Sequence, residues 1–403
     1  MRIWILKDSE QLPLTAGSKQ MRVGMLSETL QQRGHEVHWW CSTVHHMKKT
    51  LYAPHDQTVT LPSGVELHMV HAGLYKRNLS VARIRHHRRL AKRWRTIAER
   101  STEAPGLILV AYPIIEWVLE AERYAKPRGI PVIVDVRDQW PDTFVDYVPE
   151  ILKPAVRLAT CLLYPHAADA LHDATRLTSM STHVLRWALG KSKRTDGHQC
   201  GVFYLGTNLS ELAFTRAALP AAGETIRACF LGSLGNTADV MSIAGAAKIL
   251  AEQGAPIRIT IAGDGDMMGE LRAFLGENDW FDLPGWQDKE AGRALLERHH
   301  MAILTGHAEA MPNKFFDYVA AGLPIACTLR GEVREYIELH QLGRTCPSGD
   351  AVALAEAIRE VANNLATYRA HVAQVPPEHY TKKAIYSSFA EFLEKEGAAA
   401  GKA

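Results

Sequence analysis

The stretch Arg227-Ala-Cys-Phe-Leu-Gly-Ser-Leu-Gly235 joins a short apolar run to a glycine-containing loop. A helix-forming segment follows, and then a second apolar run, residues 257–262, which ends in Gly263-Asp-Gly265. A strand, a helix and another strand in this order form a βαβ unit, whose two strands are parallel. Two further apolar runs, residues 301–304 and 324–328, extend the pattern. We therefore expect a parallel sheet with helices on both faces.

The same alternation of strands and helices occupies the first half of the chain. Four strand-like runs alternate with helix-period segments there, at residues 3–6, 36–40, 107–110 and 132–136. At 403 residues the chain is too long for one ordinary core, which favours two domains, and residues 206–223 suit a linker between them. We predict an α/β fold of two Rossmann-like, doubly wound domains that face each other across a cleft. Ligands bind at the carboxyl ends of the strands in such sheets.

Composition excludes several classes of protein. With 47% hydrophobic and 22% charged residues the chain is typical of a globular protein, and a net charge of +2 gives no strong bias toward nucleic acid. The six cysteines include no C-x-x-C pair, which argues against a zinc or disulfide framework and for a reducing compartment. The apolar run at the start of the sequence, Ile3–Leu6, is only four residues long before the charged Lys7, which indicates a strand rather than a signal peptide. No apolar run is long enough to span a membrane. We expect a cytoplasmic protein.

Residues 309–324 predict a short helix with charged groups at its front end. Pro312 suits the first helical position, where a missing N–H costs nothing, and Gly322 suits the position after the helix end. Free N–H groups and the positive end of the helix dipole favour an anion there, such as a diphosphate. Lys314 adds a full charge, and Asp317, on the same side of the helix, can accept hydrogen bonds from a ribose diol. The alternative is a solvated Lys314–Asp317 pair.

This stretch resembles the signature of glycosyltransferase family 4, whose helix carries Glu-x7-Glu before Gly-x-Pro. Glu309 matches the first acid and Asp317 the second, one methylene shorter, and Pro312-Asn-Lys314 is typical of the branch that makes bacterial surface polysaccharides. Further segments resemble family motifs and carry the likeness over nearly the whole chain, at residues 22–37, 135–142 and 283–286. The resemblance implies the GT-B fold and a retaining reaction. It also implies an acceptor-binding domain 1–205, a nucleotide-sugar-binding domain 206–376 and a helix 377–403 that crosses back to the first domain.

The resemblance further implies which residues form the site. Glu309, near the transferred sugar, and Asp138, on the acceptor side, are the catalytic candidates. The donor-binding candidates are Gly17, Gly232, Ser233, Gly235, Gly285, Trp286, Pro312, Asn313, Lys314 and Asp317. Many relatives place an Arg and a Lys after the glycine loop, whereas residues 236–239 of this chain are Asn-Thr-Ala-Asp. Lys314 is therefore expected to supply much of the positive charge beside the diphosphate.

Three features raise the question of other chemistry. Asp264-Gly-Asp266 imitates a metal-binding Asp-x-Asp motif, but its position directly after a strand favours a strand-to-helix turn. Asp138 has two possible roles, and the sequence leaves both open. It can orient or deprotonate an acceptor hydroxyl, or it can cap the next helix. The histidine pairs 45–46 and 86–87 have no partner at metal-ligand spacing, which favours surface or packing roles. We expect no metal and no cofactor, with the nucleoside diphosphate sugar as a substrate.

Residues 76–95 form a strongly basic segment, with nine Lys or Arg and no acidic residue. Apolar residues at 81, 84, 94 and 97 predict an amphipathic helix that can lie on an anionic membrane surface. The cations assigned to the membrane or an anionic acceptor are Lys76, Arg77, Arg83, Arg85, Arg88, Arg89, Lys92 and Arg93. Nucleic-acid binding is the rival, disfavoured by the near-neutral total charge, and an ordinary solvated helix is the third alternative.

Together these features predict a metal-independent hexosyltransferase at the inner face of the cell membrane. It would move a sugar from a nucleoside diphosphate, UDP in preference to GDP, to a glycan on a polyprenyl diphosphate in the synthesis of lipopolysaccharide, capsule or exopolysaccharide. Two alternatives stay open: a UDP-sugar epimerase of similar fold, and a non-catalytic, membrane-associated binding protein. Epimerised sugar released without any acceptor would identify the first. Membrane association without nucleotide-sugar binding would identify the second.

Overall fold

The computed structural model describes residues 1–14, 20–77, 80–146, 148–208, 214–221, 223–235, 238–276, 278, 280–306 and 311–400. The chain forms two compact units. The first unit combines Met1–Phe203 with Tyr386–Ala403, and the second unit is Tyr204–Ile385. The first unit is therefore discontinuous in sequence.

The first unit is built on a large, mostly parallel sheet. Its strands are β1 (Arg2–Leu6), β2 (Glu36–Ser42), β3 (Val44–His45), β4 (Thr50–Leu51), β5 (Gln57–Thr60), β6 (Glu66–Val70), β7 (Leu107–Tyr112), β8 (Val132–Val136), β9 (Arg176–Ser179) and β10 (Gly201–Val202). The sheet order is β10-β9-β8-β7-β1-β2-β6-β5, with β5 antiparallel to β6, while β3 and β4 form a separate antiparallel ribbon. The order reverses beside β1, which is the switch point where such sheets bind ligands.

Helices cover both faces of this sheet. They are α1 (Arg22–Gln32), α2 (Val81–Arg100), α3 (Ile115–Ala125), α4 (Asp142–Asp146), α5 (Lys153–Thr160), α6 (Leu163–Asp173) and α7 (Thr182–Ser192). Successive β1 residues point to opposite faces, as a strand requires. Trp4 packs with the apolar sides of α2, α3, α6 and α7, whereas Ile3 and Ile5 pack with α1.

The second unit repeats the architecture with a fully parallel sheet. Its strands are β11 (Ile226–Leu231), β12 (Ile257–Ala262), β13 (Phe281–Gly285), β14 (Met301–Leu304), β15 (Ile325–Cys327) and β16 (Gly343–Thr345). Its helices are α8 (Val240–Glu252), α9 (Met268–Leu275), α10 (Lys289–Arg298), α11 (Asn313–Ala320), α12 (Glu332–Leu339), α13 (Ala351–Asn363) and α14 (Leu365–Val372). The sheet order β13-β12-β11-β14-β15-β16 places the switch point between β11 and β14.

The last helix, α15 (Lys382–Ala400), belongs from Tyr386 onward to the first unit. Tyr386, Phe389 and Leu393 are buried in the same core as Ile3 and Ile5. Short 3-10 helices lie at Lys126–Arg128, Glu150–Leu152, Gly197–Gln199 and Pro377–His379. The α/β class with two Rossmann-like sheets is confirmed.

Candidate functional site

The glycine loop after β11 is held by the loop after β12. Gly232 N–H donates to Ala262 O at 2.9 Å, and Leu234 N–H donates to Asp264 O at 3.0 Å. A Cβ at Gly263 would lie 1.8 Å from Gly232 O, so only glycine allows this approach. Leu234 is fully buried and anchors the loop, whereas Ser233 is exposed. The loop therefore presents a supported backbone at the carboxyl end of β11.

The Asp264-Gly-Asp266 segment adopts the turn that its position after a strand predicts. The Asp264 carboxylate accepts a hydrogen bond from Gly265 N–H at 2.9 Å, and Asp264 and Asp266 are both exposed. Met267 N–H donates to Leu234 O at 3.0 Å, which connects the turn to the glycine loop. The Asp264 carboxylate thus stabilises the connection between β12 and α9.

Helix α11 places Lys314 against the glycine loop. Its ammonium lies 3.9 Å from the centroid of the Phe230 ring, and a Cβ at Gly232 would lie 2.2 Å from Lys314 Cε. Leu231 N–H donates to the Tyr318 hydroxyl oxygen at 3.0 Å, which fixes the helix beside the end of β11. The glycine loop and Lys314 therefore meet at the switch point of the second sheet.

The electrostatic setting of Lys314 is unusual for a lysine. Partial burial lowers its pKa to about 8, and no carboxylate in the described part of the chain offsets that effect. The Phe230 ring face provides a weak cation–π contact instead. A cation removed from water without a counter-ion raises the free energy of the site, and a bound anion would relieve that cost.

Asp317 lies one turn further along α11 but has different neighbours. Burial raises its pKa, whereas a hydrogen bond from Thr207 and the charge of Lys382 act in the opposite direction. Lys314 and Asp317 are three residues apart, so their directions differ by only about 60° around the helix axis, in keeping with the predicted shared side. Their neighbours nevertheless differ: Lys314 contacts the glycine loop, whereas Asp317 interacts with Thr207 and Lys382.

The ends of α11 differ slightly from the prediction. The helix begins at Asn313, and Pro312 is the N-cap residue in extended conformation, so the prediction for Pro312 was wrong by one position. Gly322 has a φ of 72° directly after the C-cap, as predicted for a helix terminated by glycine. The catalytic candidate Glu309 and the donor candidate Gly17 lie outside the described residues.

The loop after β13 adjoins the same edge of the sheet. Gly285 has a φ of 78°, which favours glycine, and its carbonyl accepts from Gly263 N–H at 2.8 Å. The side chain of Trp286 is 71% exposed and leaves its ring open to a ligand. Gly235 ends the described part of the loop after β11.

Asp239 is a residue that sequence reasoning missed at this site. It lies in the left-handed region with a φ of 48° at the start of α8. One carboxylate oxygen accepts from the Ser242 hydroxyl at 2.7 Å, and the other accepts from Gly349 N–H at 3.0 Å. Thr305, after β14, donates to Ala238 O at 2.5 Å. Asp239 therefore ties the loops around the glycine loop together, and an acid before a helix was the available signal.

The first unit has a buried charge network at its own switch point, which the sequence did not predict. Asp135, the fourth residue of β8, is paired with Arg22 at 3.0 Å and with Arg137 at 2.8 Å. Burial opposes its ionisation, but the two guanidinium groups outweigh burial and hold the pKa of Asp135 well below its usual range. Glu10 pairs with Arg137 at 3.1 Å and accepts from Val23 N–H at 2.8 Å, at the start of α1. The available signal was a carboxylate inside an otherwise apolar strand, Val132-Ile-Val-Asp-Val136, with an arginine directly after it.

Asp138 is hydrogen-bonded within its own loop. Its Oδ1 accepts from Gln139 N–H at 2.8 Å and from the Thr143 hydroxyl at 2.6 Å, and neither donor is a backbone N–H of α4. Asp142 pairs with Lys191 at 2.8 Å and accepts from Trp187 Nε1–H at 2.7 Å. Both interpretations of Asp138, as a cap and as an acceptor-side carboxylate, stay predictions.

Helix α2 carries the basic segment, and its apolar residues are divided between the core and the surface. Trp94 is fully buried in the core of the first unit, with His86 and His87 also buried. Val81 and Ile84, near the start of the helix, are exposed at 64% and 37%. The core therefore covers the part of α2 around Trp94, and membrane contact by the first turns of the helix stays a prediction. The exposed cations of the segment are Lys76, Arg77, Arg85, Arg88, Arg89, Lys92 and Arg93, while Arg83 is partly buried over the Trp140 ring at 5.1 Å.

The family comparison falls on the unit that contains the glycine loop. Residues 225–364 match the model of a family described as Glycosyl transferases group 1. The resemblance to glycosyltransferases is confirmed. The match includes Gly232, Trp286 and Lys314, so these donor candidates lie in the matched region.

Two curated relatives have similar descriptions. The chain is 28% identical over 163 residues to the amylovoran biosynthesis glycosyltransferase AmsK of Erwinia amylovora, which covers 37% of this chain and 40% of that protein. It is 28% identical over 120 residues to the putative colanic acid biosynthesis glycosyltransferase WcaL of Escherichia coli (strain K12), which covers 28% and 30%. The matched stretches thus span less than half of either relative.

Solved structures establish the fold over nearly the whole chain. The lipopolysaccharide outer core galactosyltransferase WaaB has a TM-score of 0.63 at 14% identity, with 98% of this chain and 100% of that chain covered. Anabaena HepE in complex with UDP has a TM-score of 0.62 at 13% identity, with the same coverage. The fold is GT-B.

Proposed function

We propose that this chain is a glycosyltransferase that moves a sugar from a nucleoside diphosphate to a glycan hydroxyl in bacterial surface-polysaccharide synthesis. The descriptions of AmsK and WcaL as biosynthesis glycosyltransferases support a role in polysaccharide synthesis. The complex of HepE with UDP supports UDP as the nucleotide of the donor. The observation that carries the proposal is Lys314, a partly buried cation beside the glycine loop with no carboxylate partner among the described residues.

The arrangement around Lys314 suits a diphosphate. The ammonium lies at the amino end of α11, where backbone N–H groups and the helix dipole also favour negative charge. Residues 236–239 contain no Arg or Lys, so Lys314 is expected to provide most of the positive charge that stabilises the diphosphate. As the sugar departs, charge grows on the diphosphate, and a preplaced cation stabilises that charge more than it stabilises the ground state.

The proposed transfer needs no enzyme nucleophile. The acceptor oxygen forms a bond to the anomeric carbon on the face from which the diphosphate leaves, the carbon–phosphate oxygen bond breaks, and the acceptor proton passes to the departing phosphate. Such a reaction retains the anomeric configuration. Asp317 is assigned to the ribose and Glu309 to the transferred sugar. Determination of product stereochemistry tests this step, and a product of inverted configuration would exclude it.

Calorimetric titration with UDP and UDP-sugars in the presence of a chelator tests the donor site. Loss of one charge-assisted contact in Lys314→Ala should weaken UDP binding roughly 10- to 100-fold. Asp317→Ala should weaken it several-fold if the ribose hydrogen bonds are lost. Lys248→Ala is the matched control, because Lys248 also lies over a phenylalanine ring, 5.9 Å from Phe274, but on an exposed helix surface. Equal affinity of wild type and Lys314→Ala would show that the donor site is misplaced.

We place the acceptor, a glycan on a polyprenyl diphosphate, at an anionic membrane surface. No helix among the described residues is long and apolar enough to cross a bilayer. In α2, Trp94 is buried, whereas Val81 and Ile84 are exposed. The segment around α5 offers a larger apolar surface for this contact, because its large aliphatic residues face solvent: Ile151 at 87%, Leu152 at 50%, Leu158 at 76% and Leu162 at 76% exposure.

Cations surround this exposed apolar segment, residues 151–162. Lys153 and Arg157 lie within it, and α6 continues from its end. A cavity of about 330 Å³ is lined jointly by Leu163 and His166 of α6, Arg88 and Lys92 of α2, and Arg123 of α3. The apolar segment and the cationic surface of α2 are therefore neighbours. Aliphatic side chains that enter the lipid interface beside cations that meet anionic headgroups form a peripheral membrane site.

A further inference from the structure

Three potential metal ligands lie together at the amino-terminal ends of β2 and β6. His38 Nδ1 is 2.9 Å from His68 Nε2 and 3.2 Å from Glu66 Oε2, and His68 Nε2 is 3.5 Å from Glu66 Oε2. Zinc–ligand bonds of about 2.0–2.1 Å in a tetrahedron separate neighbouring ligand atoms by about 3.3 Å. The three atoms therefore form a triangle of the size that one tetrahedral zinc ion requires. Within the described residues, no other three His, Cys, Asp or Glu side chains come this close together.

The parallel sheet produces this arrangement. In the register of β2 with β6, His38 pairs with Glu66 and Trp40 pairs with His68, so all four side chains project from one face. The Trp40 ring stacks on His68 with centroids 4.2 Å apart and an angle of 16° between planes. His38 and His68 are nearly parallel, at 14°. Their orientations are set by packing within the sheet rather than by flexible loops.

Outer hydrogen bonds orient both imidazoles. His38 Nε2 lies 3.0 Å from Glu36 Oε1, and the Arg2 guanidinium donates to that same carboxylate at 2.8 Å. His68 Nδ1 lies 3.0 Å from the Thr58 hydroxyl. A carboxylate or hydroxyl on the far nitrogen is the usual support of a metal-bound histidine, since it fixes the ring and directs the other nitrogen's lone pair at the metal.

We propose that His38, Glu66 and His68 bind one Zn²⁺ ion that joins β2 to β6. A cavity of about 640 Å³ borders the three side chains, and it leaves room for water as the fourth ligand. Two imidazoles and one carboxylate suit zinc among the divalent cations available to proteins. The site lies at the amino ends of the strands, whereas the charge network of Asp135 lies at their carboxyl ends. The metal is thus structural and separate from the proposed transfer, for which no metal is expected.

Zinc content of the tag-free, full-length chain tests the proposal. After incubation with ZnSO₄ and dialysis, elemental analysis should find one zinc per chain, and Glu66→Gln and His68→Gln should each lose at least about 90% of it at the same free zinc. His183→Gln, on the exposed side of α7, is the control for non-specific histidine binding and should retain the metal. Because Glu66 is half-exposed and glutamine preserves its size, folding of that variant is expected to be normal.

Thermal unfolding provides a second readout. Zinc at 100-fold over its dissociation constant should raise the wild-type melting temperature by roughly 5 °C or more, and should leave Glu66→Gln unchanged. Absorption spectra with Co²⁺ should show tetrahedral coordination that disappears in His68→Gln. Failure of the wild type to retain stoichiometric zinc, or equal retention by Glu66→Gln and His68→Gln, would overturn the proposal. Neither outcome would affect the donor site, because Lys314 belongs to the other unit.

Discussion

At the scale of single residues, the donor site depends on one lysine and the glycine beside it. A side chain at position 232 would occupy the space of Lys314 Cε and Nζ. The Lys314 ammonium also contacts the face of the Phe230 ring. The Pro-Asn-Lys pattern predicts a charge at the start of a helix. It does not predict that the Lys314 ammonium is removed from water, because that burial depends on Phe230, in a strand about 80 positions earlier in the sequence.

The lowered pKa of Lys314 predicts pH-dependent donor binding. In the free protein the ammonium carries its charge below about pH 8 and loses it above, so affinity for a UDP-sugar should fall between pH 8 and 9, approaching tenfold per unit. Binding should take up protons in that range, because the diphosphate raises the pKa of Lys314. Calorimetry in buffers of different ionisation enthalpy measures both effects.

Lys314→Arg is the control for that pH dependence. Arginine stays protonated throughout, so its affinity, even if lower, should be flat between pH 7 and 9. Titration of the ligand itself is common to both proteins, so the difference isolates Lys314. Parallel pH profiles for wild type and Lys314→Arg would contradict the assignment.

At the scale of elements, α2 and α5 differ in how much of their apolar surface is covered. In α2, Trp94 is buried against the sheet of the first unit, whereas Val81 and Ile84 near the start of the helix are exposed. Helix α5 has no buried residue, although it is rich in aliphatic side chains. An apolar stripe on a helix indicates that something covers it, and only the tertiary structure shows whether that cover is the protein's own core.

The exposed apolar segment predicts vesicle binding. Wild-type protein should co-sediment with vesicles that contain about one-third anionic phospholipid and only weakly with neutral ones, with a loss of binding as salt increases. Leu158→Asp combined with Leu162→Asp should reduce the bound fraction at least roughly tenfold, because each buried leucine contributes about 1.5–3 kcal/mol and each new charge repels the headgroups.

Leu339→Asp is the matched control for the vesicle experiment. Leu339 is 78% exposed on α12 of the second unit, so the substitution adds the same charge at a similarly exposed leucine elsewhere. It should bind vesicles like the wild type. Membrane binding that survives the α5 double substitution but is lost when Arg88 and Lys92 are reversed in charge would assign the contact to α2 alone.

At the scale of the whole molecule, the first unit is completed by the end of the chain. Phe389 of α15 is fully buried, stacks on Phe203 at 4.3 Å and lies 5.0 Å from the Arg22 guanidinium. Arg22 in turn pairs with Asp135, so the last helix also covers the buried charge network at the switch point. The core of the first unit therefore cannot form from the first half of the sequence alone.

Phe389→Ala should destabilise the first unit. Truncation of a buried phenylalanine leaves a cavity, and the free energy of unfolding should fall by about 3–5 kcal/mol. Denaturant unfolding followed by tryptophan fluorescence measures the loss, and UDP binding at low denaturant should persist, since Lys314 and the glycine loop belong to the second unit. Phe274→Ala, at a residue 46% exposed in the second unit, should change stability by less than about 0.5 kcal/mol. Equal stability of Phe389→Ala and wild type would refute the role of α15 in this core.

Much of the fold and part of the site follow from local sequence. The alternation of apolar runs with helical segments predicts both parallel sheets, and β2, β8, β11, β12 and β14 begin within one residue of the predicted positions. Gly232, Gly263 and Gly322 predict tight turns because they meet conformational and steric demands that are local to the backbone. Several strands were not among the predicted runs: β3, β4, β5, β6, β9, β10, β13 and β16. Of these, β10 and β16 have only two and three residues and carry little periodicity.

What only the tertiary structure decided is which distant residues share an environment. His38 and His68 are 30 positions apart, with no metal-binding spacing, and only the parallel register of β2 with β6 makes them neighbours. Arg22 and Asp135 are brought together in the same way, across 113 positions. Periodicity and turn chemistry act over a few residues, so sequence alone determines elements and their order. Desolvation, ion pairing and ligand geometry depend on contacts between elements, and those arise only when the sheets assemble.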